Sequence, residues 1–155
     1  MKKKFQYQLL CCTVLIFLNL AFIWGNSLLP GSESSELSGG VVVWLEEVVG
    51  HSLSGSEYLI RKLAHFSEFA GLGLWLAWLF GLLKQRGFHR FTMPLLFGSL
   101  AALTDETLQV LTPERGPSVV DVWIDTAGVA TGILVVLLIC RISESRRKHL
   151  SNGGN

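Results

Sequence analysis

The sequence predicts an all-α polytopic membrane protein. Four transmembrane helices and a short interfacial amphipathic helix in the first outer loop form one domain over residues 1–142, followed by a disordered tail at 143–155. Three observations predict this. Half of the 155 residues are hydrophobic and only 16% are charged, against about 25% in soluble globular domains. The apolar residues fall into four long blocks, each near the roughly 20 residues needed to cross a hydrocarbon core of about 30 Å. The net charge of +1 conceals a strong asymmetry in where basic and acidic residues fall along the chain, and this distribution carries more information than the sum. No nucleic-acid surface is implied.

Taken in order, the first span covers 5–24 behind Lys2, Lys3 and Lys4. Its length and the lack of an A-x-A site favour an uncleaved anchor over a secretory signal. Residues 27–40 are rich in Pro, Gly and Ser and read as loop. Residues 41–50 change character, because Val41, Trp44, Leu45, Val48 and Val49 recur at helical spacing with Glu46 and Glu47 opposite. That run is too short to span, so a helix lying in the outer interface with Trp44 at headgroup depth is expected. The remaining spans cover 63–83, 91–111 and 119–140. Cys11, Cys12 and Cys140 all lie inside apolar blocks, and three cysteines cannot pair off into a disulfide framework.

Orientation follows from Lys and Arg, which cytoplasmic loops retain. Ten of the thirteen fall on one side: Lys2, Lys3, Lys4, Lys84, Arg86, Arg90, Arg141, Arg146, Arg147 and Lys148. The other side carries Glu33, Glu36, Glu46, Glu47, Glu57 and Glu114. Both termini are therefore expected in the cytoplasm.

Charged groups in membrane helices are costly and face the bundle interior or a cavity, so each is a functional candidate. The second span brings Arg61, Lys62, His65 and Glu68, and the third brings Asp105, Glu106 and Gln109. The turn supplies Arg115, and the fourth span opens with Ser118, Asp121 and Asp125. At ~1.5 Å per residue, Lys62 to Glu68 covers ~9 Å and Ser118 to Asp125 ~10 Å, so all three groups lie toward the outer ends of their helices. Asp121 and Asp125 share a helical stripe with Gly128 and Gly132. Asp105 and Gln109 share one with Gly98 and Ala102, and Lys62 shares one with Phe69, Gly73, Ala77 and Gly81. Small residues mark close helix contacts, so the polar groups above them point inward to one outward-opening pocket. Five acids (Glu68, Asp105, Glu106, Asp121 and Asp125) against Lys62 and Arg115 leave about three negative charges over, which a low-dielectric site balances with protons, a cation or water. Lys62 and Asp121 are expected partners. Arg115, between Pro113 and Pro117, is placed to grip phosphate or carboxylate bidentately.

The runs Arg61-Lys62-x-x-His65-Phe66-x-x-Phe69, Asp105-Glu106-x-x-Gln109, and Pro113-x-Arg115-x-x-Ser118-x-x-Asp121-x-x-x-Asp125-x-x-Gly128 resemble the VanZ-like family of bacterial membrane proteins. The resemblance implies a multi-pass protein of the bacterial plasma membrane associated with teicoplanin resistance. Where that family commonly has tyrosine and asparagine, this chain has Phe69 and Asp125.

Three readings stay open. The first is a binding or shielding protein whose Lys62, His65, Asp105, Glu106, Gln109, Arg115, Ser118, Asp121 and Asp125 hold a membrane lipid, a lipid-linked cell-wall precursor or a lipoglycopeptide antibiotic. The second is an enzyme acting on a lipid-linked envelope substrate, with His65, Glu68, Asp105 and Glu106 as candidate catalytic groups and carboxyls as acids or metal ligands. In the third, the polar residues only fix the bundle. No Cys-based or H-E-x-x-H metal spacing occurs, so neither metal nor cofactor is expected from spacing. Four helices without repeats are short for a carrier unless two copies associate.

Overall fold

A computed structural model describes residues 2–50 and 55–152. These form five helices, α1 (Lys2–Ser27), α2 (Gly31–Val49), α3 (Glu57–Leu82), α4 (His89–Val110) and α5 (Val119–Asn152), with no strand among them. Three are long and apolar enough to cross a membrane, over Lys2–Ser27, Tyr58–Leu82 and Val119–Arg147. The 22 residues of α4 reach about 33 Å, but Asp105, Glu106 and Gln109 lower its apolar character below that of the other three. Those polar residues are buried, whereas Leu96, Phe97, Leu100 and Leu103 on the same helix are each at least half exposed. α4 is thus polar inside and apolar outside, the reverse of a water-soluble helix.

The core is built where α3 lies against α5, with α1 and α4 flanking them. Phe69, Leu72, Ala77, Ala102, Val129 and Ile133 are almost fully enclosed. The small-residue stripes explain the closeness. A Cβ at Gly132 would run into the Ala70 carbonyl, and one at Gly128 into the Phe66 carbonyl. Only glycine lets the two backbones approach this far, and dispersion across the contact replaces the hydrophobic drive that lipid cannot supply. Gly73 and Gly98 likewise lie against Val129, whereas Gly81 faces open space and is no contact.

Two segments differ from the sequence expectation. The loop expected at 27–40 is mostly helix, because α2 starts at Gly31, ten residues before the expected interfacial segment. Local bonds outweigh its poor composition. Ser35 Oγ donates to the Gly31 carbonyl, Glu33 complements the positive N-terminal end, and Gly50 closes the helix in the left-handed conformation with its N–H on the Glu46 carbonyl. The tail expected to be disordered from Ser143 continues α5 as far as Asn152. No Pro or Gly interrupts it before Gly153, and Arg141, Arg146 and Arg147 suit the C-terminal half of a helix. Residues 153–155 of that tail, and the stretch 51–54 of the outer segment, lie outside the described residues.

Candidate functional site

The helices alternate in direction, so the C-terminal ends of α1 and α4 meet the N-terminal ends of α3 and α5. The ten segregated Lys and Arg residues fall at the opposite end of the bundle. Across the polar end, Lys62 Nζ forms an ion pair with Asp121 Oδ1, as their stripes predict. Its ammonium also lies 5.0 Å from the centre of the Tyr58 ring, a cation–π distance.

Glu106 closes the N-terminus of α5. Its Oε2 accepts the Ser118 N–H at 2.8 Å, and Ser118 Oγ accepts the Val120 N–H at 3.2 Å. A carboxylate there satisfies an otherwise orphaned donor and meets the positive end of the helix dipole. Asp105 is fixed from two helices: Ser27 Oγ of α1 donates to its Oδ1 at 2.6 Å, and Gln109 Nε2 donates to its Oδ2 at 3.1 Å. Thr112 Oγ1 completes the buried seam by donating to the Ser27 carbonyl.

The turn after α4 clamps two further helix ends. Arg115 donates from Nε to the Leu29 carbonyl and from Nη2 to the Asn26 carbonyl, at 3.1 and 2.6 Å. Glu114 Oε2 accepts the Ser32 N–H at 3.1 Å, and the Pro113 carbonyl accepts the Gly31 N–H. The cation therefore meets the negative end of α1 and the anion the positive end of α2. Burial first, and then neighbouring Arg61, holds the Arg115 guanidinium below its ordinary pKa. Glu114 adopts φ 59°, the left-handed region rare for a residue with a side chain, and these bonds hold it there.

Below the clamp, a cleft of about 340 Å³ opens between α1, α2 and α3. Asn26, Arg61, His65, Glu68 and Arg115 give it a polar wall, and Phe22, Leu29, Leu37, Val41 and Ile60 an apolar one. Arg61 Nη2 donates to Ser35 Oγ of α2 at 3.0 Å. Asn26 Nδ2 reaches Glu68 Oε1 at 3.4 Å. Several buried polar atoms remain unpartnered among the described residues: Arg61 Nε, His65 Nδ1, Glu68 Oε2 and both carboxylate oxygens of Asp125.

All the sequence candidates come to this end of the bundle, but they divide into groups. Lys62, Asp121, Glu106 and Ser118 bond to one another or to helix ends. His65, Glu68 and Arg115 line the cleft. Asp105 and Asp125 lie fully buried, with a ligand-capable oxygen of each within 4.8 Å of a ring nitrogen of His65 and of the other. Arg115, expected to grip a carboxylate or phosphate, spends two donors on backbone carbonyls. Sequence reading missed Asn26 and Ser27, which belong to α1 and not to the loop. Their signal was two consecutive polar residues one turn beyond an apolar block. Among known proteins, a family model described as VanZ/LLP1 matches residues 5–140. No curated protein and no solved structure matches the chain.

Proposed function

The chain belongs to the VanZ/LLP1 family, and on that premise we propose that it is a plasma-membrane protein whose cleft binds the phosphate-bearing head group of an envelope lipid or lipid-linked wall precursor. The observation that carries this is the two-sided cleft, with Arg61 and the remaining N–H groups of Arg115 beside His65 and Glu68 on one wall and aliphatic and aromatic side chains on the other. Guanidinium groups suit phosphate, and an apolar wall suits the start of an acyl or prenyl chain. A volume of about 340 Å³ is at the small end for ligand sites. It accommodates a head group or chain end and not a whole glycopeptide, so any protection against teicoplanin-type drugs works through the lipid target or the drug's acyl tail.

In this reading α4 also crosses the membrane, as the third of four spans, with its exposed leucines and phenylalanine against lipid, and α2 lies in the outer interface. The unpartnered apolar residues of α2, Val43, Trp44, Val48 and Val49, support that placement. Both termini are cytoplasmic by the distribution of Lys and Arg. For Lys62, Asp121, Glu106 and Ser118, the bonds described favour a structural role.

The test is photo-crosslinking of purified protein in nanodiscs to an anionic phospholipid probe, scored in competition with zwitterionic lipid. Arg61→Ala should reduce labelling severalfold. Arg115→Lys should reduce it less, because an ammonium keeps the charge without the planar fork. Labelling equal for both lipids, or unchanged in Arg61→Ala, would overturn the assignment. In cells, expression should raise tolerance to an acylated glycopeptide more than to a non-acylated one.

A further inference from the structure

The hydrogen-bond accounting leaves one group unexplained. Asp125 is 0% exposed, and neither of its carboxylate oxygens has a hydrogen-bond partner among the described residues. A buried carboxylate is tolerated when it is paired, hydrogen-bonded or coordinating a metal. The nearby cations are committed elsewhere, Lys62 to Asp121 and Arg115 to the end of α1. What Asp125 does face is a second buried carboxylate and an imidazole. One donor atom each from His65, Asp105 and Asp125 lies within 4.8 Å of the others.

We propose that His65, Asp105 and Asp125 form a binding site for a divalent transition-metal ion of the zinc class. Ligands at about 2.0–2.2 Å from one ion stand no more than ~4.4 Å apart, so a modest contraction closes the set. The imidazole selects against calcium and magnesium, which prefer oxygen-only shells, and two carboxylates with one nitrogen suit zinc or manganese. The surrounding bonds have the form that supports metal ligands. Ser27 and Gln109 donate to the two oxygens of Asp105 and fix its plane, leaving the second lone pair of each oxygen available. Helices α3, α4 and α5 supply one ligand each, and α5 approaches α3 over Gly128, one turn below Asp125. The glycine contact thus brings the ligands together. Three protein ligands leave an open coordination position, and His65 places the ion beside the cleft. The site stands independently of what occupies the cleft, because metal content is read without any lipid.

Full-length protein purified in detergent, stripped with a chelator, equilibrated with zinc sulfate and desalted should retain about one zinc per chain by plasma mass spectrometry. Asp125→Asn and His65→Gln should fall to background, while the exposed-site variant Glu47→Gln keeps the ion. Because either ligand substitution also alters a buried group, thermal melting supplies a second measurement that separates metal loss from misfolding. Stripped Asp125→Asn should melt above stripped wild type, since it lacks the uncompensated carboxylate. In zinc the order should reverse, with only wild type shifting upward and magnesium producing no shift. Wild-type protein that retains no zinc and shows no zinc-dependent shift would overturn the site. So would an Asp125→Asn protein that binds zinc as wild type does. Failure of lipid crosslinking with zinc still retained would leave the metal site standing and remove only the head-group reading.

Discussion

Replacing Lys62 with Met isolates the strongest electrostatic contact between α3 and α5. Its ammonium pairs with Asp121 Oδ1 and lies near the Tyr58 ring, with the two charged side chains only 16% and 15% exposed. Stranding one partner of a fully buried pair costs about 3–5 kcal/mol. The residual exposure here admits some solvent, so about 2–3 kcal/mol is expected for Lys62→Met. A cation–π contact contributes about 0.5–1 kcal/mol of that at such a site. Asp121→Asn should cost less, because the amide still accepts a bond from Lys62. The double variant should cost less than the sum of the two by about 2 kcal/mol, well above the ~0.6 kcal/mol average coupling of hydrogen bonds between membrane helices. Equilibrium unfolding of all four proteins in mixed micelles of mild detergent and dodecyl sulfate measures the cycle. Coupling below about 0.5 kcal/mol would mean additive behaviour and would refute the view that this pair locks the polar end.

Gly132→Ala should destabilise the bundle by about 1–3 kcal/mol in the same assay, because its Cβ meets the Ala70 backbone, whereas Gly81→Ala should be near neutral. Ser27→Ala should cost about 1–3 kcal/mol by leaving the buried Asp105 Oδ1 without its donor, and Ser27→Thr should recover much of the loss. Arg115→Ala should lower stability by about 2 kcal/mol through loss of charge-assisted bonds to two carbonyls, with Arg115→Lys intermediate and protein level reporting the change in cells. For topology, a cysteine at Ser54 in a cysteine-free background should react with an impermeant maleimide on intact cells, and one at Ser151 should not. The reverse labelling would place the cleft on the cytoplasmic side.

Much of the architecture was legible in the sequence because it rests on one-dimensional quantities. The length of an apolar block marks the helices long and apolar enough to cross a membrane, and the clustering of Lys and Arg matches which helix ends lie together. Helical phase put Lys62, Gly73, Asp121, Asp125, Gly128 and Gly132 on inward stripes, and the ion pair and glycine contacts followed. Local composition misled at 27–40 and 143–152. Gly and Ser suggested loop where local bonds, and bonds from Pro113 and Glu114, hold the ends of α2, and polarity suggested disorder where no Pro or Gly stops α5 before Asn152.

Only the tertiary structure decided how the polar groups divide their bonds. Phase assigns a side chain to a face, but the relative heights and rotations of four helices determine which atoms meet. Asn26 and Ser27 joined the site because α1 ends level with Glu68 and Asp105. Arg115, whose position between two prolines suited it to an anion, instead clamps carbonyls because the turn folds back over the end of α1. Asp125 was left without a hydrogen bond beside His65 and Asp105 because Gly128 draws α5 against α3. Hydropathy determines which helices form, while these offsets depend on backbone contacts between segments distant in the chain, and no local pattern encodes them.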